Sequence, residues 1–125
     1  MRKILLISVA VMVLLIGGAI VFLLNGQGPI KEMAINDVDL TNVEDGSHKG
    51  SFKGARWSNE VEVTVEDNKI VEIAIINDQL FAREDVTEAL FTTIKENQSL
   101  QVDTVSEATV TSKAYLKAVE NALKQ

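Results

Sequence analysis

The sequence predicts an α+β fold, a small antiparallel meander covered by two helices and preceded by one membrane-spanning helix. Three patterns carry that expectation: an unbroken apolar run near the N-terminus, period-two alternation from about residue 60 to 76, and apolar stripes at helical spacing after residue 85. Strands followed by helices place the helices on one face of the sheet, because each amphipathic element must bury its apolar side against another.

The N-terminal run comes first. Arg2 and Lys3 precede Ile4–Leu24, in which Ser8 is the only hydroxyl and no charge occurs. At ~1.5 Å per residue such a helix reaches ~30 Å, the thickness of a bilayer's hydrocarbon core. A cleaved leader has an apolar region of roughly 7–15 residues and a small-x-small site. This run is longer and no Ala-x-Ala stretch follows it, so a retained anchor is expected. With Arg2 and Lys3 on the cytoplasmic side, everything after Leu24 is expected outside the cell membrane. The chain has no cysteine, which excludes a lipid-modified cysteine anchor and fits an oxidising compartment.

The chain is expected to divide into an anchor (1–24), a linker (25–44) and a compact domain (45–125). Past Leu24 lie all 18 acidic residues and only 10 of the 12 basic ones, a net charge of −8. Nucleic acid needs cationic partners for its phosphates, so that class is not expected. Asn25–Pro29 holds two glycines and the only proline, a tether signal, and Lys31–Glu44 is polar with scattered apolar residues. A short strand or turn is allowed near its end.

Within the domain, Asp45-Gly46 is a turn pair, and Ser47–Arg56 carries Phe52 among polar residues and glycines. Val61, Val63 and Val65 alternate with Glu60, Glu62, Thr64 and Glu66, giving a strand with one buried face. Asp67-Asn68 suits a tight turn, and Ile70–Ile76 returns as the third strand. From Asp85, the residues Val86, Ala89, Leu90 and Ile94 form a helical stripe with Asp85 and Glu88 as a capping box. A second helix is expected from about Ser112 to Leu123, capped by Ser112 or Thr111. Between the helices, Leu100–Val105 is a candidate strand.

That connecting stretch, Asp103-Thr104-Val105-Ser106-Glu107-Ala108-Thr109-Val110-Thr111-Ser112, closely resembles the flavin-attachment segment of FMN-binding domains. Such domains occur in the C subunit of sodium-pumping NADH:quinone reductase and the G subunit of Rnf complexes. The family pattern is Asp-x-x-Ser/Thr-Gly-Ala-Thr leading into a helix. Asp45–Ser51 resembles its opening stretch, Val61–Ile76 its valine-rich hairpin and Ala114–Leu123 its closing helix, so about 80 residues are covered in the family's order. The resemblance implies FMN joined through its phosphate to Thr109 by a flavin transferase. Ser106, Ala108, Thr111 and Ser112 would shape the site. The position suits a phosphate, since free N–H groups and the helix dipole favour an anion there. An unaided threonine hydroxyl is a poor nucleophile, which agrees with the need for an external enzyme. One residue departs from the pattern: the family's glycine is Glu107 here. Its carboxylate would either turn to solvent or be offset by Lys113.

Other candidates carry two readings each. Trp57 either stacks on the isoalloxazine or packs a sheet edge. Tyr115 either approaches the flavin or belongs to the core, and Leu80 and Phe81 either cover the ring or close the core. His48 is the lone histidine, so with no cysteine a zinc or iron site is not expected. The functional expectation is an electron carrier rather than an enzyme in its own right. It would exchange electrons with redox partner proteins or a quinone-linked donor at the membrane. The competing class is a flavin-free accessory module that lost the site through Glu107.

Overall fold

The computed structural model describes residues 1–25, 27–105 and 107–124. Helix α1 (Arg2–Leu24) has no buried residue. It is long and apolar enough to cross a membrane, a test that a signal sequence also passes. A one-and-a-half-turn helix, α2 (Gln27–Glu32), follows it.

Strands β1 (Gly46–Phe52), β2 (Asn59–Glu66) and β3 (Lys69–Asn77) form an antiparallel sheet in the order β1-β2-β3, the expected meander. The β2–β3 turn works as its residues suggest. Asp67 and Asn68 both take positive φ, +52° and +62°, as a two-residue hairpin matching the twist of its strands requires. The alternation of β2 is realised: Val61, Val63 and Val65 are fully buried, while Glu60, Glu62 and Thr64 are partly exposed on the other face.

Two helices cover the valine face, α3 (Glu84–Asn97) and α4 (Thr109–Leu123). Leu90, Phe91 and Ile94 of α3 meet Tyr115, Leu116, Val119 and Leu123 of α4 in one core with the β2 valines, Ile70 and Ile73. Helix α4 lies close on β1 because small residues face each other. A Cβ on Gly50 would stand 2.2 Å from the Ala122 nitrogen and 2.3 Å from the Ala118 carbonyl oxygen. This contact and the Asn121 side-chain bond to the Ser51 carbonyl (2.9 Å) fix where α4 runs.

Three local expectations are corrected. Residues 100–105 form no strand. They are held by bonds between side chain and backbone rather than by a strand ladder: the Leu100 N–H donates to Asp37 Oδ1 (3.0 Å) and Gln101 Nε2 to the Ile35 carbonyl (2.5 Å). Helix α3 starts at Glu84 without a capping box; its N-cap is Arg83, and Asp85 takes the Arg83 guanidinium at 2.8 Å instead. Helix α4 starts at Thr109, three residues early, and neither Thr111 nor Ser112 caps it. Ser112 is buried inside the first turns, where its Oγ accepts the Val105 N–H (3.2 Å).

The segment expected as a linker is strapped to the domain. Ile30 and Val43 are 4% and 8% exposed, and a 3-10 turn at Leu40–Asn42 closes the stretch. Asp37 accepts the Ser99 hydroxyl and the Leu100 and Val38 N–H groups. Burial pushes its carboxyl up, and those bonds outweigh that and hold it below the usual range. Glu120 is wholly buried beneath the strap, where it accepts the Asn36 N–H (2.5 Å), Lys117 Nζ (2.6 Å) and Lys124 Nζ (3.2 Å). Burial again raises its carboxyl, but these donors leave it depressed.

Candidate functional site

Thr109 is the first residue of α4 and lines a cavity of about 260 Å³ with Gln27, Lys31, Arg56, Trp57 and residues 107–111. A second cavity of about 300 Å³ adjoins it, sharing Arg56, Glu107, Ala108 and Thr111 and adding Leu23, Phe81, Arg83 and Val86. Together they reach the lower size range of small-ligand pockets. Both open on the N-terminus of α4. The N-cap residue there is Ala108, which has no side-chain oxygen to take the free N–H groups of the first turn. That leaves them for an external acceptor. Three cations border the cavities, Lys31, Arg56 and Arg83, on a domain that is otherwise strongly acidic.

The backbone around the start of α4 is held from both sides. The Ala108 N–H donates to the Val105 carbonyl at 2.9 Å, and Ser112 holds Val105 from the helix. Thr104 and Thr109 hydroxyls lie 3.4 Å apart. Gln79, buried in the loop after β3, donates to the Thr111 carbonyl at 3.1 Å. Asn59 ties the start of β2 to α4 through bonds to the Trp57 and Ala114 carbonyls.

Glu107 has φ +64°, the left-handed region. A residue without a side chain adopts that backbone at no steric cost, which is the physical reason a glycine suits this position. Glu107 is exposed, the first of the two expected arrangements. Lys113 does not offset it: that amine donates to the Lys31 and Met33 carbonyls (2.7 and 3.0 Å) and serves the strap.

The family model of the FMN-binding domain matches residues 57–124, more than half of the chain and inclusive of the whole 103–112 stretch. This chain belongs to the FMN-binding domain family. FMN is the cofactor such a domain holds. Comparison with curated proteins finds no significant match. The residues present fit FMN. An uncapped helix N-terminus with cations beside it matches the phosphate, and the adjoining cavity bordered by Phe81 offers apolar surface for the ring system.

The FMN-binding domain brings Ala108, Thr109 and Thr111 together at the cavities, with Ser112 behind them as a brace. Ser106 lies outside the described residues. Trp57 lines the cavity but is 1% exposed. It packs with Ile30, Val110 and Ala114 under the Arg56 guanidinium, 4.1 Å above its ring, so it has no open face to stack on a flavin. Tyr115 does not border the cavities. It is fully buried, edge-on to Phe91 (centroids 5.6 Å apart), and its hydroxyl meets Asp78 and Thr87. Burial and then the Asp78 carboxylate push that hydroxyl's pKa far up, so it stays protonated. Leu80 and Phe81 are exposed and close no core. Sequence reasoning missed Arg56, Lys31 and Arg83, because each reaches the site from a different element. The nearest signal was the Gly54-Ala55-Arg56-Trp57 turn, in which Ala55 takes φ +49°. Among the described residues, no group of three or more His, Cys, Asp or Glu gathers to hold a metal.

Proposed function

We propose that this FMN-binding domain is a membrane-anchored electron carrier with its flavin esterified through the phosphate to Thr109. The observation that supports this reading is the place of Thr109, at the head of an uncapped helix, inside a cavity bordered by Lys31 and Arg56. Bound FMN supplies one- and two-electron redox chemistry. The chain's own residues do the holding. The first-turn N–H groups and the cations offset the phosphate charge, and Ser112 and Gln79 fix the backbone on either side. Among the described residues the Thr109 hydroxyl meets only the Thr104 hydroxyl, which is no base, so a flavin transferase forms the ester. Helix α1, read as a retained anchor with Arg2 and Lys3 inside, puts the domain on the extracytoplasmic side. Its partners are then redox proteins there or a quinone-linked donor in the membrane. The second reading, a flavin-free accessory module, draws on Glu107, a residue that lines both cavities and stands where the family pattern has glycine.

Intact mass after co-expression with a flavin transferase decides between them. In that transfer the threonine oxygen replaces the leaving phosphate of a flavin phosphoanhydride donor, whose P–O–P bond breaks while the hydroxyl proton passes to solvent, so the protein gains one FMN less one water. Thr109→Ala is expected to abolish the adduct, and Thr111→Ala to retain it. If neither the natural chain nor its Glu107→Gly variant gains the mass, covalent attachment is overturned, and the presence or absence of flavin absorbance in the native protein then separates non-covalently held FMN from the flavin-free module.

A further inference from the structure

We propose that the face of the domain carrying the two cavities lies on the headgroups of the outer leaflet, with Leu80, Phe81 and Arg56 against the lipid. The inference rests on the reading of α1 as a retained membrane span.

Chain length sets the first limit. Ile30 is 4% exposed, packed with Trp57, Val110 and Ala114, and lies six residues past Leu24. Six residues span at most ~20 Å, so the α4 N-terminus cannot stand far from the membrane whatever the path between. The observed contact is closer. Arg56 Nε donates to the Leu23 carbonyl at 3.1 Å, and Leu23 itself borders the second cavity. A side chain bonded to the last turn of a spanning helix sits in the headgroup layer, only several ångströms deep on each side of the hydrocarbon core.

Surface chemistry agrees with that position. Leu80 and Phe81 are 55% and 69% exposed, the most exposed large apolar side chains past α1. The Arg56 guanidinium stands 5.8 Å from the Phe81 ring centroid, so an aromatic and a cation are presented side by side. Such a pair suits a membrane interface, where an apolar body meets acyl chains and a cation meets phosphate. Arg83 is held in an exposed bridge with Asp85, which offsets that carboxylate, and Glu107 is a second acidic residue lining this rim. The acidic outer face of the sheet, with Glu60, Glu62 and Glu72, is elsewhere. The cavities therefore open toward the bilayer, the side from which a lipid-soluble donor arrives.

The absence of cysteine makes the test direct. Phe81→Cys, Leu80→Cys and Lys69→Cys full-length chains would be labelled with an environment-sensitive fluorophore and reconstituted into phosphatidylcholine–phosphatidylglycerol vesicles. Lys69 opens β3, whose other end leads to Leu80, so it stands ~25–30 Å away along the strand. Nitroxide-headgroup lipid is expected to quench labels at 80 and 81 several-fold more than at 69. Equal quenching at all three sites, in protein that floats with the vesicles, would overturn the seating while leaving the anchor intact. Protein that fails to float with the vesicles would overturn the anchor, and the seating with it. Leu80→Cys provides an independent reading should labelling at 81 disturb its left-handed backbone (φ +58°).

Discussion

Glu107 concentrates the tension between this chain's backbone and its chemistry. Of the six non-glycine residues with positive φ among those described, Phe81 and Glu107 border the cavities and Ala55 precedes Arg56. Strained backbone gathered at one place is what a positioned ligand site shows. A left-handed L-residue costs ~1–2 kcal/mol, and glycine returns ~0.5–1 of that through its freer unfolded chain. Glu107→Gly is therefore expected to leave stability unchanged or raise it by up to ~1 kcal/mol, measured by urea unfolding. The same substitution should raise the flavin-modified fraction, since it removes a carboxylate from the rim of both cavities. A loss of stability would mean that the Glu107 side chain itself holds the loop.

At the scale of elements, the sheet and α4 are locked by one close approach. Gly50 on β1 faces Ala118 and Ala122 on α4, and the atoms a Cβ would strike are backbone, which cannot rotate away. Overpacking a tight core commonly costs ~1–3 kcal/mol, and a backbone clash near 2.2 Å belongs above that range. Gly50→Ala is expected to lower stability by more than ~3 kcal/mol or to abolish cooperative folding. Ser51→Ala, one position on and exposed, should stay within ~0.5 kcal/mol. Because Thr109 heads the same helix, a folded Gly50→Ala variant should also be poorly flavinylated. Equal stability of the two variants in thermal melts would mean that α4 shifts freely along β1.

Taken whole, the molecule joins helix α1 to its domain through a strap rather than a free tether. Ile30 and Val43 are buried, Asn36 meets Glu120, and Asp37 meets Ser99 and Leu100. A chain of residues 45–125 keeps the main core and is expected to fold. A chain of residues 28–125 should be more stable by ~3–6 kcal/mol, from burial of the two apolar side chains at ~1.5–3 kcal/mol each. Equal urea midpoints for the two would show that the strap rests on the domain without stabilising it.

What could be read in the residues was whatever repeats locally. The apolar run of α1, the valine alternation of β2, the Asp67-Asn68 turn and the stripes of α3 and α4 are periodic, and each pattern names its own buried face. Thr109, the proposed attachment residue, stood out for another reason, that the motif around it is contiguous in the chain. Contacts between distant segments have no such signature. Lys31, Arg56 and Arg83 come to one rim from three elements, Asp37 side-chain bonds replace a strand at Leu100, and Trp57 is buried by Ile30 and Arg56. The apolar helix, the three-stranded meander and the two amphipathic helices follow from short-range sterics and periodic burial, which act within a few residues, whereas α2 and the strandless stretch at 100–105 carry no such local pattern. Which cations border the site, how α4 seats on Gly50 and where the strap docks depend on packing between residues tens of positions apart, which no local pattern encodes.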